Sequence, residues 1–199
     1  LQVAAFSTSD IAAITTADLV VLKTAAIGAR NSAQVAALTT GQVSNLTTGQ
    51  IAAMSTADIA TGLTTSQVAV LTTAQAAALS SLQVAAMTTA GIAAITTADI
   101  SALKTAAIGA LNSAQVAALT TGQVSNLTTG QIAALSTADI ATALTTSQVA
   151  VVSTAQVAAL GPPHVADMTT TCRAAMLTPI IPSFTQPPAA AVNCTTATA

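Results

Sequence analysis

The sequence predicts an all-α solenoid of very short capped helices built on an eight-residue repeat. Three observations carry this expectation. An octapeptide recurs from the first residues to about Met176. Its first and fourth positions have the chemistry of a helix capping box. Its two larger apolar positions lie on one face of a single short helix. A Thr-rich β-solenoid is the alternative, because Thr, Val and Ile favour strands.

The repeat is plain where two copies adjoin. Thr39-Thr40-Gly41-Gln42-Val43-Ser44-Asn45-Leu46 runs directly into Thr47-Thr48-Gly49-Gln50-Ile51-Ala52-Ala53-Met54. Positions 1 to 8 of the octad thus hold Ser or Thr twice, a small residue, Gln or Asp, Val or Ile, two small residues (usually Ala), and a larger aliphatic. A longer period lies on top. Thr24 to Gly28 returns as Thr105 to Gly109, so the super-repeat is ten octads plus one extra position. The extra residue is visible in Ile59-Ala60-Thr61-Gly62-Leu63 and again in Ile140-Ala141-Thr142-Ala143-Leu144. Leu1 to Phe6 aligns by the same shift with Leu82 to Met87, in the middle of an octad, so a longer parent array is expected.

Within an octad the hydroxyl at position 1 accepts from the amide of position 4, while a Gln there reaches back to the N-cap amide. Asp10, Asp18, Asp58, Asp99 and Asp139 fill the same slot, where the helix dipole favours an anion. At about 100° per residue, positions 5 and 8 are about 60° apart, and small residues at 3, 6 and 7 fall on the other side. One continuous helix does not fit. Eight residues turn about 800°, so the apolar stripe would advance about 80° per repeat and wind around the cylinder. Each octad therefore reads as about one and a half turns followed by a kink at the Thr pair. A piece that short is unstable alone and must stack on its neighbours. Against strands, V-A-A-L lacks period-two alternation and Ala is depleted in sheets.

The pattern divides the chain into three parts: an octapeptide solenoid over 1–160, decayed terminal repeats over 161–176, and a Pro-rich extended tail or cap over 177–199. All six prolines lie beyond residue 161, where they interrupt helix. Cys172 and Cys194 fall in this end, where a disulfide clamping the tail is one reading and two unpaired thiols the other.

Composition closes off several function classes. Hydrophobic residues make up 52% of the 199 residues, but aromatics only 1% and charged residues only 5%. Four basic residues and a net charge of -2 give no electrostatic footprint for nucleic acid. Mean hydropathy of +0.72 argues against charge-driven disorder. No apolar run, Leu19-Val20-Val21-Leu22 included, approaches a membrane span.

The chemistry-bearing residues read mainly as structural. His164 is the only histidine, and it takes the place of a capping Gln in a decayed repeat. The Asp residues occupy equivalent slots in separate octads rather than forming a pair. Gly28, Gly41 and Gly49 sit inside octads, not in a phosphate loop. Lys23 and Lys104 replace the first Thr where Gln is also lost, to Ala26 and Ala107, and read as a solvated irregularity. No enzyme activity, cofactor or metal site is expected. Asn45, Asn126 and Asn193 each begin an N-glycosylation acceptor pattern, and the Thr pairs are candidate O-glycan sites.

Leu38-Thr39-Thr40-Gly41-Gln42-Val43 and its kin resemble the Thr/Ala-rich octapeptide arrays of very large bacterial surface or secreted proteins. The resemblance covers about 1–176 and implies an extracellular, adhesin-like or fibre-forming region without catalytic residues. The expected function is structural, a stalk or fibril subunit that self-associates. The alternative is a binding module that presents a regular Thr array to ice or a polysaccharide.

Overall fold

A computed structural model describes residues 5–161 and His164. Each octad forms one short helix. In chain order these are α1 (Thr8–Ala13), α2 (Thr16–Val21), α3 (Thr24–Gly28), α4 (Ser32–Ala36), α5 (Thr40–Asn45) and α6 (Thr48–Ala52). After a π-turn, π1 (Asp58–Gly62), come α7 (Thr65–Val68), α8 (Thr73–Ala78), α9 (Ser81–Ala86), α10 (Thr89–Ala94), α11 (Thr97–Ala102) and α12 (Thr105–Ile108). The series ends with α13 (Ser113–Ala118), α14 (Thr121–Asn126), α15 (Thr129–Ala134), π2 (Asp139–Ala143), α16 (Thr146–Val149) and α17 (Thr154–Ala159). The described residues contain no strand, so the helical reading holds and the β-solenoid does not.

Caps set both ends of most of these pieces. Thr39 is extended at φ -70°, ψ 158°; its hydroxyl accepts from the Gln42 amide, and the Gln42 side chain accepts from the Thr39 amide. Leu46 at position 8 is extended too, at φ -59°, ψ 141°, and its amide donates to Val43 O. Two consecutive extended residues, position 8 and the next position 1, thus make a corner between successive helices. Lys23 and Lys104 occupy the N-cap without any side-chain cap bond, and both are exposed.

Stacking follows a single rule: each octad packs on the one three octads later. α1 lies against α4, α2 against α5, α3 against α6, α4 against π1, and so on to α14 against α16 and α15 against α17. Three octads therefore make one coil, and each side of the solenoid is a stack of parallel short helices. Position 5 points inward and is sealed: Ile11, Leu19, Ile27, Val43, Ile51, Val84, Ile92, Ile132 and Val149 are at 0% exposure. Position 8 closes the corners with Leu46, Met54, Leu79, Leu103 and Leu135, also buried. Each such side chain contributes about 1.5–3 kcal/mol, so the thin core draws its strength from repetition.

The small residues govern how closely coils approach. Position 6 of one octad meets position 7 of the octad above. A Cβ on Gly28 would lie 2.8 Å from Ala53 O, and one on Gly109 would lie 2.8 Å from Ala134 O. Position 3 meets position 2 of the octad below, where a Cβ on Gly122 would be 3.3 Å from Thr97 Cγ2. Small residues at these positions thus have a steric reason, as the sequence suggested.

The extra residue of the super-repeat is absorbed by the two π-turns. Leu63 N donates to Asp58 O at 2.9 Å and Leu144 N to Asp139 O at 3.1 Å, a five-residue step in place of the usual four. Thr61 and Thr142 are exposed on the bulge, with hydroxyls donating to Ala57 O and Ala138 O. The register resumes at Thr64 and Thr145, both normal N-caps. The predicted terminal repeats and tail over 161–199 lie, except for Gly161 and His164, outside the described residues.

Removing Thr142 restores a regular Ser-Thr-Ala-Asp-Ile-Ala-Ala-Leu octad. The deletion variant is expected to fold and to melt within a few degrees of the parent by circular dichroism. Deleting Ala117 from a regular octad instead moves position 8 off the core and should lower the midpoint well beyond that.

Candidate functional site: the glutamine corners

The one recurrent polar site is the corner itself. The position-4 Gln caps its own helix, as its spacing predicts, yet it is also nearly sealed from solvent. Gln42, Gln50, Gln67, Gln75, Gln83, Gln115, Gln123, Gln131, Gln148 and Gln156 are all 1–3% exposed. Burying an amide demands partners for both ends of it. Oε1 takes the N-cap amide, as in Gln123 with Thr120 N at 2.8 Å. Nε2 turns down to the helix that ends directly below, four octads earlier.

Gln123 Nε2 donates to Ile92 O at 2.8 Å and Ile95 O at 2.7 Å, with a longer approach to Ala93 O at 3.4 Å. Gln131 repeats this on Ile100, Ser101 and Leu103. Gln50 does the same on Leu19, Val20 and Leu22, and Gln148 on Val116, Ala117 and Leu119. One side chain therefore serves as the N-cap partner of its own helix and the C-cap of another. The carbonyls left free at the end of a short helix receive their donor from the next coil.

Asp at position 4 caps but has no N–H to offer downward. Asp99 and Asp139 instead accept a hydroxyl from position 2 of the octad below: Thr73 Oγ1 donates to Asp99 Oδ1 at 2.8 Å and Ser113 Oγ to Asp139 Oδ1 at 2.7 Å. Asp10 is exposed, and its hydrogen bonds from the Ser7 hydroxyl and amide hold its carboxyl below the usual range. Its cap persists above the ordinary carboxylate pKa and is lost as pH falls through the depressed value.

Arg30 has no counterpart among the residues that sequence reasoning singled out. It fills position 8, where the equivalent residue one super-repeat later is Leu111. The guanidinium is buried without a hydrogen-bond partner. Burial pushes its pKa down, opposed by the charge of Asp58. Asp58 stands four octads later, and no hydrogen bond joins it to the guanidinium.

The remaining predicted residues fall as follows. His164 stands in a Gln slot and brings Nε2 to 3.0 Å from Leu135 O, the carbonyl a Gln would reach; the Nε2–H tautomer donates there. Asn45 and Asn126 are exposed, and each donates Nδ2 to a carbonyl of its own helix, Gly41 O and Gly122 O at 2.8 Å. Cys172, Cys194 and Asn193 lie outside the described residues. Among the described residues no group of three or more His, Cys, Asp or Glu side chains gathers. No described helix is long and apolar enough to cross a membrane.

Short capped helices, three per coil, locked by a buried amide at the corners, define a helical-repeat solenoid. A family model for the ALTTAQ repeat matches residues 11–48, 51–89, 92–129 and 132–170, and the chain belongs to that repeat family. Each match covers about five octads, and the two that contain π1 and π2 are one residue longer than the others. No curated protein and no solved structure matches the chain.

Gln123→Leu removes the downward donor and the N-cap acceptor together, and should destabilise the fold by about 2–4 kcal/mol in urea or thermal melts. Gln123→Glu keeps the acceptor but turns a carboxylate toward Ile92 O and Ile95 O. Burial raises that carboxyl's pKa in the folded state. The deficit of Gln123→Glu is therefore smallest below about pH 4, where Glu is protonated in both states, and grows as pH rises through the raised value. A stability profile flat in pH would contradict the buried-donor role.

Proposed function

We propose that this chain is a structural repeat protein, part of an extracellular or cell-surface stalk or fibril whose copies associate with one another. The observation that supports the reading is the uniformity of the coil-to-coil clamp. Gln42 grips the coil before it by the same bonds as Gln148, far along the chain. Such a stack lengthens by repetition and has no geometry that closes it, which suits a rod. Its outer positions hold mostly Ala, Gly, Ser and Thr, and only 5% of the chain is charged, so little electrostatic repulsion opposes lateral association. Exposed Asn45 and Asn126 offer positions for a glycan coat.

A second reading, the Thr array that binds ice or a polysaccharide, draws on the second-position hydroxyls of the exposed residues Thr40, Thr48 and Thr65. Stacked helices space such residues by about 8–10 Å, roughly twice the spacing of a strand ladder.

Sedimentation across a concentration series, with electron microscopy of the concentrated sample, tests the first reading. Mass that rises with concentration and rods or filaments on the grid are expected. A strict monomer without filaments overturns it, and inhibition of ice recrystallisation by that monomer would favour the second.

A further inference from the structure

We propose that the coil formed by α10, α11 and α12 is a built-in release seam, the place where the solenoid opens first. The inference concerns the stack itself and does not depend on self-association. Position 4 of these three consecutive octads holds Gly91, Asp99 and Ala107, none with a side-chain N–H. By the corner rule they stand over the ends of π1, α7 and α8. The carbonyls of Val68, Leu71, Ala76 and Leu79 therefore face a coil without an amide to give. On the next coil, Gln115, Gln123 and Gln131 each reach three carbonyls at the ends of α9, α10 and α11. On the coil before, Gln67, Gln75 and Gln83 clamp the ends of α4, α5 and α6.

The seam is otherwise well packed. Ile92, Ile100 and Ile108 are fully buried, and Met87 Cε lies 3.5 Å from where a side chain on residue 91 would begin. One cross-coil hydrogen bond survives, from Thr73 to Asp99. Apolar contact thus holds the coil in place while the directional clamps are missing. The same deficit recurs in sequence at Asp10, Asp18 and Ala26, one super-repeat earlier, so the period supplies one such coil per super-repeat.

Hydrogen exchange followed by mass spectrometry on the full chain separates this from ordinary end fraying, because the seam lies mid-chain. Fraying makes the middle the best-protected region, whereas a seam makes 89–111 exchange at least about tenfold faster than 113–134. Ala107→Gln with Asp99→Gln should slow that exchange, and Gln115→Leu with Gln123→Leu should extend fast exchange into 113–134. Protection in 89–111 equal to or above that of 113–134 in the unmodified chain overturns the proposal, whether or not the variants fold. So do folded Gln variants with unchanged exchange.

Discussion

Everything in this fold follows from the problem of helix ends. A helix of five or six residues consists almost wholly of termini, and its unpaired amides and carbonyls outnumber its internal bonds. Left to water, such a piece does not persist. Left in a core, its free carbonyls would each carry a desolvation cost. The chain resolves this with one side chain that carries an acceptor and two donors on a single planar group. Gln at position 4 satisfies an N-terminus through Oε1 and a C-terminus through Nε2, and the two belong to different coils. Register, stacking and capping are therefore the same interaction.

Other features of the composition then fall into place. All six acidic residues are Asp and there is no Glu, although Glu suits a capping box as well as Gln does. A Glu carboxylate would reach the same carbonyls and repel them; the shorter Asp stays with its own cap or a hydroxyl below. Small residues at positions 2, 3, 6 and 7 meet the neighbouring coils at contact distance, as Gly28 against Ala53 and Gly109 against Ala134 show. The low charge of the exterior follows in part from the same steric demand. Where the device is interrupted, at Gly91, Asp99 and Ala107, the short helices and their stacking continue in the same form.

The octad, its caps and its inward face were legible in the sequence because each rests on local chemistry. A hydroxyl three residues before a Gln, and an apolar pair at positions 5 and 8, act within one helix. The offset between super-repeats marked the extra residue at Thr61 and Thr142, but its form as a π-turn depends on the register being held on both sides. Three octads per coil was not legible, since it is set by the angle at the two-residue corner. The burial of Gln went unread for the same reason: its second set of partners lies 28 to 32 residues away. The absence of Glu was the available signal, because capping alone would not exclude it. Arg30 was not legible, because burial of a guanidinium at position 8 cannot be read from the octad alone.

The most direct test is to observe the Gln side chains in solution. With the Gln amides labelled by nitrogen-15, the Nε2 protons of Gln42, Gln50, Gln115, Gln123 and Gln131 should appear as dispersed pairs that exchange slowly with water. They should also show through-bond coupling to carbonyls four octads earlier. Collapse of these signals to the position of free Gln, with rapid exchange, would contradict the account, because the clamp would not exist.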